Sequence, residues 1–420
     1  MSHGPITIFD KSALEGLNPD EACWFANFYM ANITPLFFVE TLADLKKQIK
    51  NGRTPEQVVG SLAYKTPHSG NPNVHHVELC LANLDGYPIE MRQVPYVAGG
   101  RTVSTGDQTG IVYECPPEME ALQRWQAGDF LQVEYQFASV WRRKLLRLTL
   151  ERTAQWFAPI VGDRKITSLE AARNQAERLV NGERERLNIL RLACTTQDAP
   201  AGLWNKIFQR WKDAGGPPLK DFAAYSAHVL EVDLFFYLAI NAGLISADRP
   251  SNKIDMAYLY YLPFCMVFVS TDNLHKRTVP LFLQNGQRFV SGEELKADLA
   301  NLDKYYSRLP AEVKEEGIMR FASDPPRGGE FLTTQLWDTF LPSWRRNAEE
   351  REPRSKETDS RLVDYITRLT EAPTVEQDTK RQNAEYGFMT LKHSVPLRMG
   401  KWRILPPEVE QGRKNRAERG

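Results

Sequence analysis

Two short apolar runs, each closed by an aspartate, constrain this chain more than any other feature. Ile6 to Phe9 ends at Asp10, and Cys265 to Thr271 ends at Asp272. Both runs are rich in β-branched and aromatic residues and are apolar at successive positions. That is the pattern of a strand buried on both faces. Strands of this kind form parallel sheets covered by helices, and ligands gather outside their carboxyl ends. One aspartate in that place is ordinary turn chemistry. Two of them, ending two strands that could share a sheet, point to a cleft.

The segments around the two runs fit an α/β reading. Asn18 caps a helix beginning at Pro19, with Asp20 and Glu21 in its first turn. Thr34-Pro35 starts a second helix expected to run to Lys50 and to stop at Asn51-Gly52. From Thr54 to Pro217 the texture changes. Residues 67–117 are rich in Gly, Pro and Asn, with short hairpin-like runs, and residues 118–195 read as helical. The α/β texture returns near Leu219 with a buried helix ending near Gly243. A second helix has Ser251 as N-cap, and the strand ending at Asp272 follows. Met256 to Thr271 is uncharged and apolar, but it is short for a span and holds Pro263, so we read a buried helix followed by a buried strand. Past Pro325 the chain is charged and ends in the basic GRKNRAERG. The division expected is therefore 1–55, the first half of an α/β domain; 56–215, an irregular and then helical insertion; 216–310, the second half; and 311–420, a charged helical extension with a basic tail.

Composition narrows the function classes. Lys+Arg (53) balances Asp+Glu (53), which excludes a polybasic protein that binds by bulk charge. The five cysteines are odd in number and scattered, without a C-x-x-C pair. With Asp10 interrupting any apolar leader, they place the protein in the cytoplasm with no membrane segment. His68, His75, His76 and Cys80 do not match a standard zinc spacing. The glycines of AGGRTVSTGDQTG lack the G-K-[ST] of a phosphate loop.

Two further acids join the pair. Glu40 lies in the second turn of the Thr34-capped helix among Phe37, Phe38, Val39 and Leu42, where an unpaired carboxylate is costly and needs a cation, donors or a wet cleft. Asp255 lies in the first turn of its own helix. In this pattern the chain resembles the PIN-domain nucleases: IFDKS (Asp10, Ser12), TPLFFVETLADL (Glu40), KIDMAYLYYLPF (Asp255) and FVSTDNLH (Asp272). The resemblance covers roughly residues 5–60 and 215–300. It departs from the family in the long interval between Glu40 and Asp255 and in the Thr after Glu40.

The resemblance implies a three-layer α/β/α sandwich with a parallel central sheet. It also implies a nuclease, more readily a ribonuclease than a deoxyribonuclease, with Asp10, Glu40, Asp255 and Asp272 holding Mg²⁺ or Mn²⁺. Hard carboxylate oxygens suit those ions, which supply an activated water and neutralise the developing oxyanion. Ser12, Lys253, Asn273, His275 and Lys276 are candidates for holding substrate. The Arg142–Arg152 stretch, with Arg143, Lys144 and Arg147 between, is a candidate nucleic-acid guide. A catalytically weak nucleic-acid-binding or scaffold protein is the alternative, and a protein partner or an oligomer is compatible with either.

Overall fold

The computed structural model describes residues 4–49, 52–105, 108–114, 116–134, 166–182, 185–350, 371–375, 387–391 and 395–407, with a few single positions between. Most of the Arg142–Arg152 stretch and the basic tail lie outside the described residues. Arg152 is described and is exposed.

Its centre is a parallel sheet. Strands β1 (Ile6–Phe9), β2 (Met30–Ile33), β3 (Asn71–Pro72), β6 (Val267–Ser270) and β7 (Arg288–Ser291) lie in the order β3-β2-β1-β6-β7. Each neighbouring pair runs parallel. The two apolar runs are adjacent: Thr7 pairs with Val267, Ile8 with Phe268 and Phe9 with Val269. All four residues of each are buried.

The period-2 alternation of a strand sends neighbours to opposite faces, and both faces are covered. Ile6, Ile8 and Phe268 enter one core, with the helix Ala224–Asn241 and the 3₁₀ turn Tyr258–Phe264. Phe9, Val267, Val269 and Val290 enter the other, with the helices Pro19–Phe28, Pro35–Ile49 and Gly292–Ser307. The Ala224–Asn241 helix is buried on nearly every side and mostly apolar for that reason.

The chain passes outward through β1, β2 and β3 and then crosses back to β6 and β7. The order therefore reverses between β1 and β6, and the carboxyl ends of strands at such a switch point are where open α/β sheets place a ligand crevice.

The boundary read at residue 55 falls short of the sheet, because β3 comes from residues 71–72. Two residues are too few to show a strand period, which is why the sequence hid it. Described helices of the 56–215 stretch share both cores. Helix Pro117–Gln126 adds Leu122 and Trp125 to one, and helices Leu169–Asn181 and Arg186–Thr196 pack in the other. Strands β4 (Gly100–Thr105) and β5 (Gln108–Tyr113) form a hairpin in the glycine-rich stretch, and β8 (Phe388–Leu391) adds parallel to β5. The run VELCLANL, hairpin-like in sequence, lies instead in the helix His76–Asp85. The charged extension also contributes to the core, since Met399, Trp402, Ile404 and Leu405 are buried, with Trp402 4.8 Å from Trp24. No helix among the described residues is long and apolar enough to cross a membrane.

Candidate functional site

Asp10 leaves β1 and caps the short helix Lys11–Glu15. Its Oδ1 accepts from the Ala13 backbone N–H at 2.8 Å and from the Ser12 hydroxyl at 2.8 Å. Its Oδ2 accepts from the Ser270 hydroxyl and lies 3.3 Å from His275 Nδ1. Four donors thus fill the acceptor positions of a carboxylate that is 3% exposed. Ser12 also meets Thr271 Oγ1 at 2.6 Å, tying the end of β1 to the end of β6. Gly292 packs against the same threonine so closely that a Cβ would fall 2.3 Å from Thr271 Cγ2, which accounts for glycine there.

His275 is buried, 1% exposed, on the helix Asn273–Thr278. Its Nε2 stands 2.7 Å from the Asp255 carbonyl oxygen, an atom that can only accept, so Nε2 carries a proton. Its Nδ1 faces Ser270 Oγ at 2.8 Å as well as Asp10. Burial alone lowers the basicity of this ring. The hydrogen bond and charge of Asp10, with Asp255 adding to them, reverse that and raise it to about 9. Burial likewise works to raise the Asp10 carboxyl, but His275, Ser270 and the Ala13 N–H hold it below its ordinary value. The pair is a buried carboxylate–imidazolium.

Glu40 is the unbalanced member. Burial first, and then the charges of Asp10 and Asp255, push its carboxyl up to about 8 against the opposing Lys11 charge and the Tyr258 hydrogen bond. The Tyr258 hydroxyl donates to Glu40 Oε2 at 2.8 Å. Glu40 and Asp255 are both half-buried, unlike Asp10. At neutral pH Glu40 keeps its proton, as a carboxyl facing two other acids must.

The other candidates separate. Asp272 caps its helix, with Oδ1 accepting from Leu274 N at 2.6 Å and from His275 N at 3.4 Å. His275, expected to hold substrate, is instead the counter-ion of Asp10. Lys253 is turned to Asp233 and to the Tyr260 hydroxyl at 2.8 Å, not to the acids. Lys276 pairs with Glu293 at 3.1 Å, and Asn273 is exposed. The sequence reading missed Ser270, Thr271, Tyr258 and Lys11. Ser270 and Thr271 were legible as hydroxyls at the end of an apolar strand. Tyr258 was legible as the residue one turn after Asp255.

A divalent cation implied by the nuclease resemblance finds suitable chemistry here and an unsuitable arrangement. The oxygens are hard, and the repulsion on Glu40 is what a cation relieves. Yet Asp10 is saturated by protein donors, and among the described residues no three His, Cys, Asp or Glu are disposed to hold one ion. As arranged, the residues do not fit a metal, and His275 supplies the positive charge in its place. Comparison with family models, curated proteins and solved structures finds no match to this chain.

Proposed function

We propose that the crevice between β1 and β6 is a hydrolytic site for phosphodiester bonds of nucleic acid, RNA before DNA. The observation that carries this reading is Glu40, a half-buried carboxyl kept protonated up to about pH 8 beside Asp10 and Asp255 at the switch point. Acids whose environments drive their proton affinities apart mark acid–base sites. In the proposed step a water oxygen attacks phosphorus while Asp255 takes its proton. The bond to the leaving oxygen breaks as Glu40 gives that oxygen a proton. Asp10 and His275 hold the ends of β1 and β6 in place, and Lys11 offsets the charge near Glu40.

The test is cleavage of end-labelled single-stranded RNA and DNA in Mg²⁺, in Mn²⁺ and in EDTA, with Glu40→Gln alongside. Wild-type cleavage that Glu40→Gln loses is the expected result. Cleavage surviving EDTA fits the closed Asp10–His275 pair, and cleavage stopped by EDTA overturns the metal-free step. No cleavage under any condition, or full activity in Glu40→Gln, removes the reading. The saturation of Asp10 favours one second reading, a nucleic-acid-binding scaffold without activity, which binds the same strands and cuts neither.

A further inference from the structure

A hollow of about 230 Å³ lies beside the helix that Asp10 caps, lined by Glu15, Arg53, Val58, Ser61, Leu62 and Lys65. It is below the ~300 Å³ at which small-molecule pockets begin. At about 30 Å³ per water it has room for one phosphate group and a few waters. Two of its walls carry cations. Lys65 donates to the Glu15 carbonyl oxygen at 2.9 Å, which anchors its amine at the end of the Lys11–Glu15 helix. Arg53 is exposed and donates over a long 3.4 Å to the Gln57 carbonyl. The Glu15 carboxylate already has a partner in Lys11, 3.3 Å away.

A third cation stands close by, because Lys296 reaches the Gly16 carbonyl at 2.6 Å and Glu21 at 2.7 Å. Burial holds the Lys65 amine below its ordinary value. Glu15 acts against that, while the neighbouring charges of Lys296 and Arg53 add repulsion. An anion in the hollow relieves this crowding, and a guanidinium fork beside a lysine is the donor set that phosphate oxygens favour.

One short helix separates the hollow from the acids. The Lys11–Glu15 helix has five residues, about 7 Å at 1.5 Å per residue. Lys11 links its two ends, bonding Glu15 while its charge is felt at Glu40.

We propose that the Arg53–Lys65 hollow is a phosphate-binding subsite for the backbone of a single-stranded nucleic acid whose adjoining link enters the acid crevice. It rests on the nucleic-acid reading above but not on cleavage. The experiment measures anisotropy of a short fluorescein-labelled single-stranded RNA with the full chain at several salt concentrations, in the Glu40→Gln background so that the probe stays intact. Arg53→Glu, and independently Ser61→Glu, which places a carboxylate at an exposed wall position and leaves both cations intact, should each weaken binding about tenfold. The slope of log affinity against log salt should fall by roughly 0.7 for each phosphate the variant no longer neutralises. Melting temperatures report that both variants fold. Binding unchanged by both variants overturns the subsite alone. Binding lost in both variants while the wild type cuts neither RNA nor DNA upholds the subsite and overturns the hydrolytic reading. A chain that binds no RNA overturns both.

Discussion

Two carboxylate networks among the described residues differ in balance. Around Asp233, on the long buried helix, one carboxylate meets one ammonium and one phenol: Lys253 and Tyr260 both donate to its Oδ1. The rings of Phe236, Tyr237 and Tyr260 surround the ammonium at 5.4–5.8 Å. Charges match one to one and the environment is aromatic, so this cluster cements two helices. At the sheet's carboxyl edge, Asp10, Glu40 and Asp255 face His275 and Lys11, and acid is in excess. The excess is absorbed as a proton on Glu40. A matched pair has nothing to transfer, whereas a surplus acid near neutrality does, and only the second network is half open to solvent at its acids.

The comparison breaks most visibly at Glu40. Glu40→Gln keeps an acceptor for Tyr258 and removes the exchangeable proton, so cleavage measured by gel assay should fall by roughly 10²–10⁴ with the fold intact. Equal losses in Asp233→Asn would erase the distinction between the two networks.

Asp10→Ala comes next, in stability. It strands an imidazolium and three other donors in the core, and losing one member of a buried pair costs about 3–5 kcal/mol. Urea unfolding reads this directly. A cost under about 1 kcal/mol would mean that His275 sheds its proton and the pair holds little.

Asp233→Asn should cost less, about 1.5–3 kcal/mol for hydrogen bonds to a charged group, and leave RNA cleavage unchanged. A change in cleavage would join the two networks functionally.

A further test of the comparison is the pH slope. Folded His275 binds its proton up to about 9, above the ordinary value of 6.5, so its stabilising share is complete below about 6.5 and lost as pH rises through 9. Glu40 has the same sign, since a carboxyl raised from 4.5 to about 8 makes the fold lose stability as pH climbs across that interval. Melting temperature should therefore decline from pH 5 to pH 9. Glu40→Gln should flatten the lower part of that decline, and an unchanged slope in the variant would refute the assignment of the proton to Glu40.

Much of this is readable in the chain alone. Asn18 is the expected N-cap, because capping chemistry is local, and Glu21 goes beyond a first-turn acid by completing a capping box with reciprocal side-chain and backbone bonds. Thr34-Pro35 marks the right helix start, but the Thr34 hydroxyl is buried without a hydrogen-bond partner instead of capping. A start signal fixes the backbone turn and not the side-chain bond. His275 and Lys253 read as substrate-holding cations because each stands near an acid in sequence. Each in fact turns to an acid on another element, which no local pattern encodes.

The sequence by itself determined that β1 and β6 are buried parallel strands ending in acid, since a run apolar on every residue is stable only with both faces covered. It also determined that Glu40 sits one helix away from them. Tertiary structure alone decided which charges meet. Asp10 and His275 are 265 positions apart, Glu40 and Tyr258 are 218 apart, and Asp233 rather than an acid of the crevice claims Lys253. Helix and strand periods follow from neighbours within a few residues. Proton affinity follows from burial and from every charge within a few ångströms, and these are set only when the sheet closes between β1 and β6.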